Sequence, residues 1–113
     1  VVTPRPPAVL ALLEHAEQQA NDGDLDASAA SLERAIRINP GDAALWHNLA
    51  TVRLAQGEVL QAEQLALKSN SLAPGNSAQQ VRNWKLIAEA RHQRGDAKGA
   101  TAAEQRAREL ERR

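Results

Sequence analysis

Apolar positions recur along this chain at steps of three and four residues, and short polar corners interrupt them at regular intervals. After Pro7 the residues Val9, Leu12, Leu13, Ala16 and Ala20 follow helical spacing until Asn21-Asp22-Gly23-Asp24 ends the run. A second helix is predicted from Leu25 to Ile38, with Ala29, Leu32, Ala35 and Ile36 on one face and Asn39-Pro40-Gly41 as its stop. Asp42 suits the N-cap of a third helix bearing Leu45, Trp46, Leu49, Ala50, Val52 and Leu54 up to Gly57. The fourth runs from Glu58 to about Leu72. The sixth, Asp96 to about Glu111, is apolar only at Ala97, Ala100, Ala103, Ala107 and Leu110. Such a helix can end a stack facing water, so no further repeat is demanded there.

The corners share a register. Gly23, Gly57 and Gly95 lie 34 and 38 residues apart, each followed by an acidic residue. Trp46 and Trp84 precede their glycines by 11 residues, Ser28, Ala62 and Ala100 follow theirs by five, and Pro40 and Pro74 follow by 17. A period of this length marks a protein built from repeated two-helix units. The third interval is longer by four residues, which fall around Asn76 to Gln80. Four residues is close to one helical turn. The fifth helix is therefore predicted to start early, capped by Ser77, and to run one turn longer with its facing phase nearly kept; an extra loop is the alternative.

Composition narrows the class. The chain of 113 residues is one domain's worth, with no Cys, Met, Phe or Tyr and only two Trp. Good helix formers dominate and β-branched residues are scarce, so the fold is all-α, closed by small residues at close helix contacts. A formal net charge of zero removes the footprint that nonspecific nucleic-acid binding needs. The charge is uneven: residues 1–56 hold seven acids against four Lys/Arg, and residues 57–113 hold seven against ten. The absence of Cys fits periplasm and cytosol equally. With no apolar run of about 18 residues, direct membrane insertion by this segment is not expected. The start at Val1 without Met fits an excised or processed piece. Residues 1–7, Val-Val-Thr-Pro-Arg-Pro-Pro, are expected to be non-helical and to end a linker, either as a frayed terminus or as a semi-rigid spacer.

The pattern Trp46…Leu49-Ala50…Gly57…Ala62…Pro74, repeated as Trp84…Ile87-Ala88…Gly95…Ala100, resembles the tetratricopeptide repeat. A weaker first copy carries Leu12, Ala16, Gly23, Ser28, Leu32, Ala35 and Pro40. The resemblance covers about residues 8–111. It implies residues 8–113 as the domain, with repeats at about 8–40, 41–74 and 77–111: three helix-turn-helix units, six helices, in a right-handed solenoid. Trp46 and Trp84 are read as core residues, whose replacement by Ala would cost roughly 3–5 kcal/mol. The family's usual work is noncatalytic binding of a partner segment in a concave groove lined by the first helix of each unit. By that geometry the partner-binding positions are Leu10, Leu13, Glu17, His47, Asn48, Thr51, Leu54, Arg82, Lys85, Glu89 and His92, with Ala44 beside them. Some members clamp a C-terminal carboxylate. The places for that clamp hold Leu13, Glu17, Asn48, Arg82 and Leu86, and the repulsion from Glu17 argues against it.

Particular residues sharpen or remove other chemistries. Val9-Leu10-Ala11-Leu12-Leu13 is apolar on more than one face, so Leu10 and Leu13 are either a contact site or covered by the Pro-rich lead or an upstream helix. His47 and His92 with Arg82 and Lys85 give a mildly basic inner surface or are simply solvated, while His15 reads as packed. The three histidines lack metal-ligand spacing, and Asp22, Asp24 and Asp26 lack the later bidentate Glu of a calcium loop. No cofactor or metal is implied. No nucleophile elbow, phosphate loop or carboxylate pair suggests an enzyme.

The expected function is a noncatalytic protein-interaction module. An Arg-rich, Ala-rich chain with a Pro-rich lead is similar to tetratricopeptide domains of bacterial envelope lipoproteins, held in the periplasm by a tether to the outer membrane. Some of these activate a bifunctional penicillin-binding protein in peptidoglycan synthesis. That resemblance makes such a synthase the specific partner to expect. The alternatives are a self-assembling scaffold, in which the oppositely charged ends stack head to tail, and a cytoplasmic adaptor.

Overall fold

The structure, a computed structural model, describes residues 4–113. Among the described residues it contains six helices and no strand: α1 (Pro7–Asn21), α2 (Leu25–Ile38), α3 (Ala43–Ala55), α4 (Val59–Ser71), α5 (Ser77–Gln93) and α6 (Ala97–Glu111). Three antiparallel hairpins, α1–α2, α3–α4 and α5–α6, stack in chain order into a slab of 40 × 35 × 19 Å. Within the stack α3 packs directly on α5, whereas α1 makes no comparable contact with α3. This asymmetry positions the site described below.

Each hairpin turns at its glycine. Gly57 has φ +81°, and its counterparts Gly23 and Gly95 have φ +83° and +79°, a conformation that an L side chain resists. The Gly57 N–H bonds to Leu54 O at 3.0 Å and the Glu58 N–H to Arg53 O at 2.9 Å, which satisfies the last carbonyls of α3. Five residues later Ser28, Ala62 and Ala100 are 1, 0 and 0% exposed, so the two helices touch at that level. Ser28 is accommodated because its hydroxyl donates to Ala16 O at 2.7 Å.

The core runs along the stack in three patches. Val9, Leu12, Ala35 and Leu45 form the first, and Ala16, Ala29, Leu32, Leu49 and Val52 the second. The third joins the last two hairpins through Ala50, Ala62, Ala66, Leu86, Ile87, Ala88 and Ala103. Alanines dominate that third patch, as a chain without Phe, Tyr or Met requires.

Several expectations are corrected. Pro7 is the first residue of α1, so the non-helical lead is shorter than residues 1–7; at N1 its missing N–H costs nothing and its fixed φ suits the helix. Residues 1–3 lie outside the described residues. Arg5 is fastened to the body: its Nε donates to Asp42 Oδ2 at 2.6 Å and its Nη2 to Oδ1 at 3.3 Å. Asp42 at the same time caps α3 by accepting the Ala44 N–H at 3.1 Å. The four extra residues are helical, giving α5 17 residues against 13 for α3, but the cap is Asn76 rather than Ser77, accepting the Gln79 N–H at 3.1 Å.

The tryptophans are half-buried rather than fully internal. Trp46 donates from Nε1 to Pro40 O at 2.8 Å, and the Lys68 ammonium lies 5.6 Å from its ring centroid. Trp84 packs against the third patch with the Arg106 guanidinium 5.6 Å from its ring centroid. Large rings at the seams between second helices keep an outer edge in water. His15 is exposed, because its position on α1 points away from α2 and α3.

Candidate functional site

A groove of about 390 Å³ opens where α1 stands apart from α3. Its floor is apolar: Leu13, Ala16 and Ala20 from α1, Leu32 from α2 and Val52 from α3. Ser28 contributes no free donor there, since its hydroxyl is spent on Ala16 O. Glu17, Asn48 and Thr51 line the same groove and are its polar groups. Thr51 Oγ1 donates to His47 O at 3.1 Å, which leaves its lone pairs for an incoming donor. Asn48 offers both a donor and an acceptor, the complement of a peptide group. The volume lies at the low end for ligand sites, and the mixture of apolar floor and few polar groups is what such sites show.

Four predicted residues thus converge, Leu13, Glu17, Asn48 and Thr51. Leu10 is 49% exposed on α1, one turn before Leu13. Leu54 packs against the third core patch and serves the fold. The remaining five lie on or beside α5. Lys85 pairs with Glu111 at 2.9 Å and His92 with Glu104 at 2.9 Å, both on α6, while Glu89 accepts from Gln93 at 3.2 Å.

His47 and Arg82 belong to a polar network between α3, α4 and α5 whose centre is Asn83, 0% exposed. His47 Nδ1 lies 2.7 Å from Asn83 Oδ1, which also accepts from Gln79 Nε2 at 3.4 Å. Asn83 Nδ2 donates to Ser69 Oγ at 2.9 Å and Asn70 Oδ1 at 2.8 Å, and Ser69 in turn donates to Ala43 O at 2.7 Å. The two acceptors of Nδ2 fix which way the Asn83 amide points. His47 must then carry its proton on Nδ1 and donate. Arg82 Nη2 donates to Gln79 Oε1 at 2.9 Å. Burial lowers the His47 pKa, with Arg82 adding to the effect and the Asn83 hydrogen bond opposing it, so the ring is neutral at pH 7. One donor of the cluster, Asn70 Nδ2, is buried without a partner.

Sequence reasoning did not single out Gln79, Asn83 or Ser69. The signal was present: Asn83 stands 38 residues after the buried Leu45, at the same register, where the pattern calls for an apolar residue. A larger polar hollow of about 540 Å³ lies between the first two corners, beside Asp24, Asp26, Arg53 and Gln56. These four side chains are already engaged. Asp24 caps α2 through the Ala27 N–H at 3.1 Å, Gln56 donates to Asp26 at 2.6 Å, and Arg53 pairs with Glu33 at 2.5 Å. Among the described residues no group of three or more His, Asp or Glu is placed to hold a metal, and no helix is long and apolar enough to cross a membrane.

A family model described as tetratricopeptide repeat matches residues 19–88. No curated protein sequence matches the chain. Among solved structures, the globular C-terminal domain of P. aeruginosa LpoP is similar at 50% identity, with a TM-score of 0.88 over 91% of this chain and 97% of that one. The N-terminal domain of stress-induced protein-1 (STI-1) from C. elegans shares the fold at 13% identity, with a TM-score of 0.86 over 96% of this chain and 88% of that one. The repeat register, the three stacked hairpins and these matches agree: the chain belongs to the tetratricopeptide repeat family.

Proposed function

We propose that this domain holds a segment of a bifunctional penicillin-binding protein in the groove between α1 and α3 and thereby activates peptidoglycan synthesis. In this reading it works in the periplasm, on a tether to the outer membrane. The coarser part follows from the family, since tetratricopeptide repeat domains are protein-interaction modules. The finer part is carried by one observation, the 50% identity to the P. aeruginosa LpoP domain over nearly all of both chains. The groove suits the task. An apolar side chain of the partner would sit on Leu13, Leu32 and Val52 while Asn48 pairs with its backbone. Glu17 disfavours a terminal carboxylate, so an internal segment is the expected occupant.

The test adds the purified domain to a purified bifunctional penicillin-binding protein and follows glycan polymerisation and binding together. The native domain should bind and raise the rate. A Leu13→Glu, Asn48→Ala variant that still melts cooperatively should lose both. Binding without stimulation would refute the activator role, and undiminished binding by the variant would remove the groove as the seat.

A further inference from the structure

We infer a second docking surface, on the outer face formed by α4 and α6, for a partner segment that combines apolar and acidic side chains. The two seams between successive second helices can be compared position by position. The seam between α2 and α4 is lined by Glu33, Trp46 and Gln64, with Lys68 over the Trp46 ring. One repeat on, the register places Leu67, Trp84 and Ala102 at the corresponding positions, with Arg106 over the Trp84 ring. Asp26, which accepts from Gln56, is likewise replaced by Leu60.

The replacements all run from polar to apolar, and at α4 they face water. Leu60 is 60% and Leu67 40% exposed, two of the four large hydrophobic residues exposed among the described residues. They lie seven residues apart on one helix face, the spacing that receives an apolar stripe. Ordinary solubility gives no reason to exchange an ion-paired Glu33 position for leucine.

The surrounding charge selects the occupant. Lys68 and Lys98 have no carboxylate within ion-pair distance among the described residues, and Arg106 reaches only Glu109, at 3.6 Å on its own helix. An acidic segment complements this set. A second copy of the chain is less suited, because four of the seven acids of its negative half are already committed: Asp24 to the α2 cap, Asp26 to Gln56, Glu33 to Arg53 and Asp42 to Arg5. The surface is formed by second helices, so it does not depend on the groove of first helices proposed above.

The test uses a synthetic helical peptide with leucines at i, i+3 and i+7 and glutamates between them, and its Lys-for-Glu counterpart. Backbone and indole amide signals of the 15N-labelled domain report where each binds. The Glu peptide should shift the Leu60, Leu67 and Trp84 indole signals, bind at least tenfold more weakly to a Leu60→Glu, Leu67→Glu variant and weaken with salt. A Leu13→Glu variant should bind it as the native domain does. Equal binding of the Glu and Lys peptides, no binding of either, or shifts centred on Leu13 and Val52 would overturn the proposal. So would a domain dimer in sedimentation that the Leu60→Glu, Leu67→Glu variant abolishes, which would assign the surface to a second copy.

Discussion

The two halves of the inner face are built from the same repeat yet close differently. Between α1 and α3 the first helices stand apart over an apolar floor, and a groove of about 390 Å³ remains. Between α3 and α5 they pack directly, and the space is taken by Asn83 and its partners His47, Gln79, Ser69 and Asn70. The difference teaches that one repeat can close in two ways, over an open apolar groove or around a buried polar residue at a position that is apolar one repeat earlier. Centred on Asn83, this buried network ties three helices together and is satisfied except at Asn70 Nδ2, so removing its centre strands several further groups.

The sharpest way to break the comparison is therefore Asn83→Ala. It leaves the donors of His47 and Gln79 and the acceptor of Asn70 without their partner inside the stack. Stability should fall by about 2–4 kcal/mol, read from urea denaturation. The tryptophans come next. Half-buried, they should cost less than an internal ring: about 2–3 kcal/mol for Trp84→Ala, which packs on the third core patch, and about 1–2 for Trp46→Ala. Equal losses of the size expected for a core ring would show that the seams close in solution.

Acid should weaken the α3–α5 half in a way that can be assigned. The folded His47 pKa lies below its ordinary 6.5, so the unfolded chain takes up the proton first as pH falls. The contribution is intact at pH 7 and is lost on acidification below about 6.5. Comparing melts at pH 7 and pH 5 for native and His47→Gln domains should show a smaller drop in the variant. The least effect is expected from Arg5→Ala. Asp42 still caps α3 without it, and a partly exposed ion pair contributes at most about 1 kcal/mol.

Much of this fold was legible in the sequence because it is periodic. The corner glycines, the small residues five positions later and the apolar stripes fixed six helices to within a residue or two. The inserted turn of α5 was legible too, since four residues nearly preserve helical phase. Its cap was not, because Asn76 and Ser77 are both competent and only the backbone decides. The site was legible in part. Family geometry names inward positions for every first helix, but which of them meet depends on how far neighbouring helices separate. Asn83 and the longer α5 accompany the pair that packs directly, and both look like exceptions in the linear pattern. Arg5 was hidden for a different reason: its partner lies 37 residues away, and no periodicity links them.

The most direct test of the account follows the 15N-labelled domain as a purified bifunctional penicillin-binding protein is added. The account predicts that signals of Leu13, Glu17, Asn48, Thr51 and Val52 shift or broaden first, and that Leu13→Glu abolishes the effect while the α5–α6 hairpin keeps its spectrum. Changes confined to α5 and α6, or an unaltered response from the Leu13→Glu domain, would contradict it.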